Sequence, residues 1–197
     1  NDCRKRCWYD IRKYVRVTLI FLFTFLTLQS FSKANDISEF KIDDISVGDS
    51  LLDLFNKDTI ENKKADYYKD NTFSTISFNS LSEEYDEIQV SWKTSDLEYK
   101  IVDVTGGVYQ DNIEGCYEKM VEVKDQLESF FNIKPKKKSS NPNPFGLYTY
   151  ITFLFESGDQ VTVSCYDYDD KYEYIDIFRI ALETKDFRKW MNSNPYE

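Results

Sequence analysis

Two cysteines, Cys116 and Cys165, constrain the fold of this chain more than any other pair of its letters. Cys116 lies in "IEGCYEKMVEVKDQLESFF", where Ile113, Cys116, Met120, Val123, Leu127 and Phe130 recur at steps of three and four. That spacing marks the apolar stripe of one helix, Ile113 to Phe131. Cys165 lies in "QVTVSCYDY", where Val161, Val163 and Cys165 alternate with polar letters on one face of a strand. Both periodicities aim a sulfur at a core. A helix packed on that sheet face brings the two together, and two buried free thiols are the alternative. A bridge closing a loop of about 50 residues stabilises a fold by roughly 4 kcal/mol in the chain-entropy model. The chain has four cysteines, but Cys3 and Cys7 fall in the first 34 residues, read below as a leader; the two that remain, without histidine, do not make a structural zinc site, which takes four such ligands.

The rest of the pattern supplies the sheet. "DEIQVSW" sets Ile88, Val90 and Trp92 on one face against Glu87, Gln89 and Ser91 on the other. "TFSTISF" precedes it, and "LEYKIVDV" follows and is expected to end at Gly106-Gly107. "LYTYITFLFE" and "QVTVSCYDY" flank Ser157-Gly158-Asp159 and read as a hairpin. "YIDIFRIAL" adds a strand with Phe178, Ile180 and Leu182 inward, and Thr184 caps a last helix carrying Phe187, Trp190 and Met191. "SEFKIDD" reads as a short strand, and Asp58 with Glu61 as the start of a helix. For the helix holding Cys116, Asp111 and Glu114 form the capping pair. Beyond it, "NIKPKKKSSNPNPFG" reads as a loop. The fold class is therefore α+β: a mainly antiparallel sheet, one long helix packed on it and a short C-terminal helix.

Residues 1–34 differ in kind from the remainder. Six arginines and lysines precede "VTLIFLFTFLTL", and Ser32-Lys33-Ala34 sets small residues three and one before a cut after Ala34. This reads as a signal peptide, 1–34, followed by a single exported domain, 35–197. An uncleaved anchor is the alternative, although about 12 apolar residues fall short of the roughly 20 a bilayer span needs. The leader takes 7 of the 25 basic and 2 of the 35 acidic residues, which leaves 18 against 33 and a formal charge of −15. Such a chain repels nucleic acid and anionic lipid, and draws basic proteins or cations. Its membrane contact is expected only through the leader. Export also suits a pair of cysteines oxidised to one bridge.

Several chemistries are excluded by the letters. "ISVGDSLLDLF" contains the G-D-S-L of a serine esterase family, at Gly48 to Leu51. That mechanism needs a base to take the serine proton, and the chain has no histidine. Ser50 is read instead as a helix cap with Asp53 three residues on, and Leu51, Leu54 and Phe55 as the buried side of that helix. Six glycines without G-x-x-x-x-G-K exclude a P-loop. No cofactor is called for. A pair of carboxylates acting on glycans remains open, with nothing in the letters to choose the pair.

Two charged clusters stand out. "CYDYDDKYEYID" gathers Asp167, Asp169, Asp170 and Glu173 among tyrosines. They are candidates for a basic partner or a cation such as calcium, or for the solvated turn of a hairpin. "KPKKK", Lys134 to Lys138, follows a helix end, where cations complement the dipole. In its "ISVGDSLLDLF" phrase, its cysteine-bearing helix and the terminal "FRIALETKDFRKWM", the chain resembles a group of uncharacterised exported bacterial proteins. The resemblance implies the fold and export and no activity. The expectation is a non-enzymatic, periplasmic or secreted acidic binding protein. A carboxylate-dependent hydrolase of glycans and a calcium-stabilised envelope protein are the alternatives.

Overall fold

The computed structural model describes residues 36–197, apart from Tyr67, Asn194 and Glu197. The expected signal peptide, 1–34, with Cys3 and Cys7, lies outside the described residues. Seven strands form one antiparallel sheet: β1 (Phe73–Phe78), β2 (Glu87–Lys93), β3 (Ile101–Tyr109), β4 (Lys137–Asn143), β5 (Gly146–Leu154), β6 (Gln160–Tyr168) and β7 (Ile177–Glu183). Their spatial order is β1-β2-β3-β7-β6-β5-β4. Two meanders of three strands each are thus joined by the last strand, which pairs with β3 on one side and β6 on the other. The helices are α1 (Lys57–Lys63), α2 (Ile113–Phe131) and α3 (Lys185–Met191). The α+β reading holds.

Alternation decides which side of each strand is buried. Ile88, Val90 and Trp92 on β2, Val161, Val163 and Cys165 on β6, and Phe178, Ile180 and Leu182 on β7 all face one core. Helix α2 lies on that face against β6 and β7. It buries Cys116, Met120, Leu127 and Phe131, while Phe130 is exposed. The stripe thus ends one residue later than its spacing predicts, and Phe130 turns to meet the Phe40 ring at 5.6 Å. Cys116 and Cys165 are joined, with their Cα atoms 5.9 Å apart. The helix packs on the sheet face as the two periodicities suggest, and the bridge, not the pair of free thiols, is formed.

Local chemistry moves several boundaries. The cap of α2 is Asn112, whose Oδ1 accepts from the Gly115 N–H at 2.9 Å, and not Asp111. Asn56, two residues before Asp58, caps α1 through the Thr59 N–H. "SEFKIDD" forms no strand: Ile37–Glu39 is a 3-10 turn, and Ile42 pairs with Ile45 around a tight reversal. In that reversal Asp43 and Asp44 both adopt positive φ, a conformation that short polar side chains tolerate. The Asp43 carboxylate then accepts from the Leu81 and Ser82 N–H groups at 2.6 and 2.9 Å.

Strand β3 does not end at its glycines. Gly106 and Gly107 lie inside it, where a Cβ on Gly106 would meet the Tyr85 ring at 2.6 Å. Close packing, not a turn, requires glycine there. Within "KPKKKSSNPN" only residues 134–136 are loop. Lys137–Asn143 forms edge strand β4, where Pro142 lacks only an N–H that an edge does not need.

Candidate functional site

The esterase-like segment is structural. Ser50 has extended backbone and caps the 3-10 turn Leu51–Asp53, its Oγ accepting from the Leu52 N–H at 3.2 Å and donating to the Glu98 carbonyl at 2.7 Å. Gly48, at φ +92°, turns the chain so that its N–H reaches the Ile101 carbonyl. Leu51 is buried, Phe55 half-buried and Leu54 exposed, because a single 3-10 turn has no continuous buried side. The hydroxyl proton that a nucleophile would have to surrender is committed to a backbone carbonyl.

The acidic cluster lies at the end of β6 and in its connection to β7. Asp169, Asp170 and Glu173 are exposed there, and Asp169 pairs with Lys171 at 2.9 Å. Asp167 is half-buried. Its carboxyl is pushed up by partial burial and by the charges of Asp176, Asp169, Glu114 and Asp170. Among the described residues, no group of three or more carboxylate or cysteine side chains can hold one metal ion.

A different set of residues comes together on the other face of the sheet. Strand alternation places residues there in level rows that cross five or six of the strands. One row runs Thr75, Ser91, Asp103, Glu183, Gln160, and the next runs Ser77, Gln89, Thr105, Ala181, Thr162, Thr152. Part of this polar face is covered. Helix α3 lies on it through Phe187, whose ring meets that of Phe73 at 5.4 Å. The tail follows, with Tyr196 paired to Tyr68 and the Pro195 carbonyl accepting from the Lys69 N–H. Trp190 meets the Tyr68 ring at 4.7 Å and donates to the Asp70 carboxylate.

Beneath this cover the first row is a line of hydrogen bonds. The Tyr68 and Thr75 hydroxyls are 3.1 Å apart, those of Thr75 and Ser91 are 2.7 Å apart, and Ser91 donates to Asp103 at 3.1 Å. From the other end, Arg188 donates to the Gln160 carbonyl at 3.0 Å, and Gln160 donates to Glu183 at 2.5 Å. The two lines meet at Asp103 and Glu183, cross-strand neighbours on β3 and β7. Burial pushes the Asp103 carboxyl well above the usual carboxylate range, and the neighbouring Glu183 charge adds to it. Glu183 is also raised by burial, against the pull of Gln160, Thr162 and the Arg188 charge. Both carboxyls border a cavity of about 140 Å³.

From Glu183 the face opens toward β5 and β4 as a cleft of about 500 Å³, within the usual range for small-ligand sites. Tyr148, Tyr150, Thr152, Gln160 and Arg188 border it, with Leu154 and Met191 supplying apolar surface. Tyrosines continue beyond its mouth. The Tyr148 and Tyr166 rings are 4.6 Å apart, and the Arg179 guanidinium lies 5.3 Å over Tyr166 while pairing with Glu87 at 2.9 Å. The local sequence marks none of these residues as a binding group; it reads Met191 only as helix packing and Glu87 only as the polar side of β2. The retrievable signal was the polar half of each alternating strand, since a face of Thr, Ser, Gln and Tyr is too polar for a second core.

Comparison of the chain with protein-family profiles, with curated proteins and with solved structures finds no match in any of the three.

Proposed function

We propose that this is an exported, non-enzymatic binding protein whose ligand lies in the cleft between α3 and strands β4 and β5. The carrying observation is the hydrogen-bonded line Arg188–Gln160–Glu183 along the wall of a 500 Å³ cleft, on a sheet face that, among the described residues, no long helix covers. Side chains already fixed in place bind with less loss of freedom on association. The disulfide fits an oxidising compartment, and among the described residues no helix is long and apolar enough to cross a membrane. The acidic balance of residues 35–197 draws a basic partner, and Asp167, Asp169, Asp170 and Glu173 offer such a partner an exposed corner away from the cleft.

Backbone NMR titration with a neutral oligosaccharide mixture and, separately, a lysine-rich peptide tests the reading. Shifts confined to β5, β6 and α3 are expected from one of them. Shifts confined to residues 167–173 would move the site to the acidic corner, and none with either probe would sink the cleft.

A second reading, a hydrolase of glycans, is favoured by Asp103 and Glu183. Two carboxyls on directly opposed strand positions have Cβ atoms about 4.5–5.5 Å apart, close enough to share a proton, and retaining glycosidases set their carboxyl groups at about 5–5.5 Å. Release of reducing ends from glycans by the wild-type chain, and its loss in Glu183→Gln, is the required result. Equal release by both would dispose of this reading.

A further inference from the structure

The carboxyls of Asp103 and Glu183 lie side by side with no cation of their own. Among the described residues their hydrogen bonds come from neutral groups: Ser91 and Thr105 donate to Asp103 at 3.1 and 3.5 Å, Gln160 and Thr162 to Glu183 at 2.5 and 3.4 Å. The two arginines nearby are engaged elsewhere. Arg179, on β7, pairs with Glu87 of β2 at 2.9 Å, and Arg188, on α3, donates to the Gln160 side-chain carbonyl and to the Gly158 carbonyl. Gln89 and Ser91 of β2 carry no charge. The remaining ionisable groups facing the pair are tyrosines: Tyr68 ahead of β1, Tyr148 on β5, Tyr166 on β6 and Tyr196 in the tail. The last three are pushed up by burial and stay neutral while carboxyls titrate. Residues so opposed have Cβ atoms about 4.5–5.5 Å apart, and two carboxylates at that spacing do not both ionise in a closed cavity.

The floor beneath the pair is fixed, because β3 and β7 are each hydrogen-bonded to a strand on both sides. The roof is not. Phe187 and Met191 of α3 and Tyr196 of the tail close the 140 Å³ cavity from above. Helix α3 has seven residues, too few to persist without its packing. The tail beyond it is held by the Tyr68–Tyr196 bridge and by the Lys69 N–H, which donates to the Pro195 carbonyl at 2.8 Å. Arg188 ties down the first turn of α3, and its charge favours an ionised Glu183, so the part that can lift is the last turn and the tail. The Tyr196 hydroxyl donates to the Met191 Sδ at 3.9 Å, which couples the two. Met191, Glu183, Tyr148 and Thr162 border the 500 Å³ cleft as well as the closed cavity. Lifting Met191 therefore joins one to the other.

We propose that the last turn of α3 and the tail form a proton-held lid, closed while Asp103 and Glu183 keep a proton between them and open once the pair has lost it. Opening admits water to both carboxylates and extends the cleft inward to Asp103. The device holds whatever the cleft binds. Its direction follows from burial, which raises both carboxyls: the closed state is favoured at low pH and is lost as pH rises through their folded values.

Hydrogen exchange of the intact, oxidised chain, followed by NMR between pH 5 and pH 9, decides it, with each rate divided by the intrinsic rate at that pH. The reporting amides are Lys69, Asn192 and Ser193, which donate to the Pro195, Arg188 and Trp190 carbonyls. Their protection should fall with rising pH, by up to about tenfold per pH unit for each proton released on opening. Amides of β2 and β6 should keep theirs. The double change Asp103→Asn and Glu183→Gln preserves both shapes and removes both charges, and it should hold the three amides protected across the range. Thermal melting shows that this variant is folded. The wild-type profile is decisive without it: protection that stays flat, or that falls equally in β2 and β6, would overturn the lid. A fall that persists in the folded double variant would also overturn it, because another group would then be the trigger.

Discussion

Asp103 and Glu183 stand directly opposite each other on β3 and β7, eighty residues apart in sequence and adjacent in the sheet. Each is supported by its own line of hydrogen bonds, from Ser91 on one side and from Gln160 on the other. Both carboxyls are raised above their ordinary range, chiefly by burial. A raised acid is bound to its proton more tightly in the folded than in the unfolded state. Its share of stability is therefore complete below the unfolded value near pH 4 and is lost as pH rises through the folded value. Replacing the pair by Asp103→Asn and Glu183→Gln should flatten this dependence. The variant should melt a few degrees above the wild-type chain at pH 8 and no higher than it at pH 4. Thermal unfolding across that range checks this, and parallel curves for the two proteins would contradict it.

The Cys116–Cys165 bridge ties α2 to β6 across the main core. Reduction, or the double change Cys116→Ser and Cys165→Ser, should cost about 4 kcal/mol. Urea unfolding with and without reductant measures it. A midpoint unmoved by reductant would mean that packing of α2 alone holds the helix in place.

Ser50→Ala should lower stability by about 1 kcal/mol, as loss of a cap does. Its second bond, to the Glu98 carbonyl, ties the turn to the approach to β3 and is lost with the first. Any ester hydrolysis that the wild-type chain showed and this variant lacked, at equal stability, would restore a catalytic role to the hydroxyl.

Gly106→Ala should be destabilising by about 1–3 kcal/mol, because the added Cβ would sit 2.6 Å from the Tyr85 ring and 2.8 Å from Ile42. Denaturant titration reads the loss. Pairing it with Tyr85→Ala should recover part of the cost if the ring is the obstacle, and additivity of the two changes would show that it is not.

The elements that were legible are those whose burial is one-sided. Strand β2, helix α2 and the hairpin β5–β6 each separate apolar from polar letters at one period, so pattern alone places them. Strand β4 was not legible, because an edge strand is held by backbone hydrogen bonds and "KKSSNPN" has no apolar side to betray it. The caps at Asn56 and Asn112 were missed for a narrower reason. Several Asn and Asp residues crowd each helix start, and only geometry tells which one reaches back. The cleft was invisible because its residues come from β4, β5, β6, β7 and α3, each an ordinary letter in its own strand or helix. Only register brings Asp103 to Glu183, and register is a property of the assembled sheet.

The position of β7 has a consequence for how the chain comes into being. The strand that occupies the middle of the sheet is the last of the seven to be synthesised. Until it is available, β3 and β6 each present a bare edge, and the two three-stranded halves have nothing between them. Contacts so far apart in sequence are slow to form, and open edges invite other chains to pair. The sheet is thus closed by the strand that follows all its neighbours, much as an arch is closed by its last stone. Chains truncated before Ile177 should accumulate as aggregates, while chains that reach Glu183 and lack only α3 and the tail should fold with the polar face laid open.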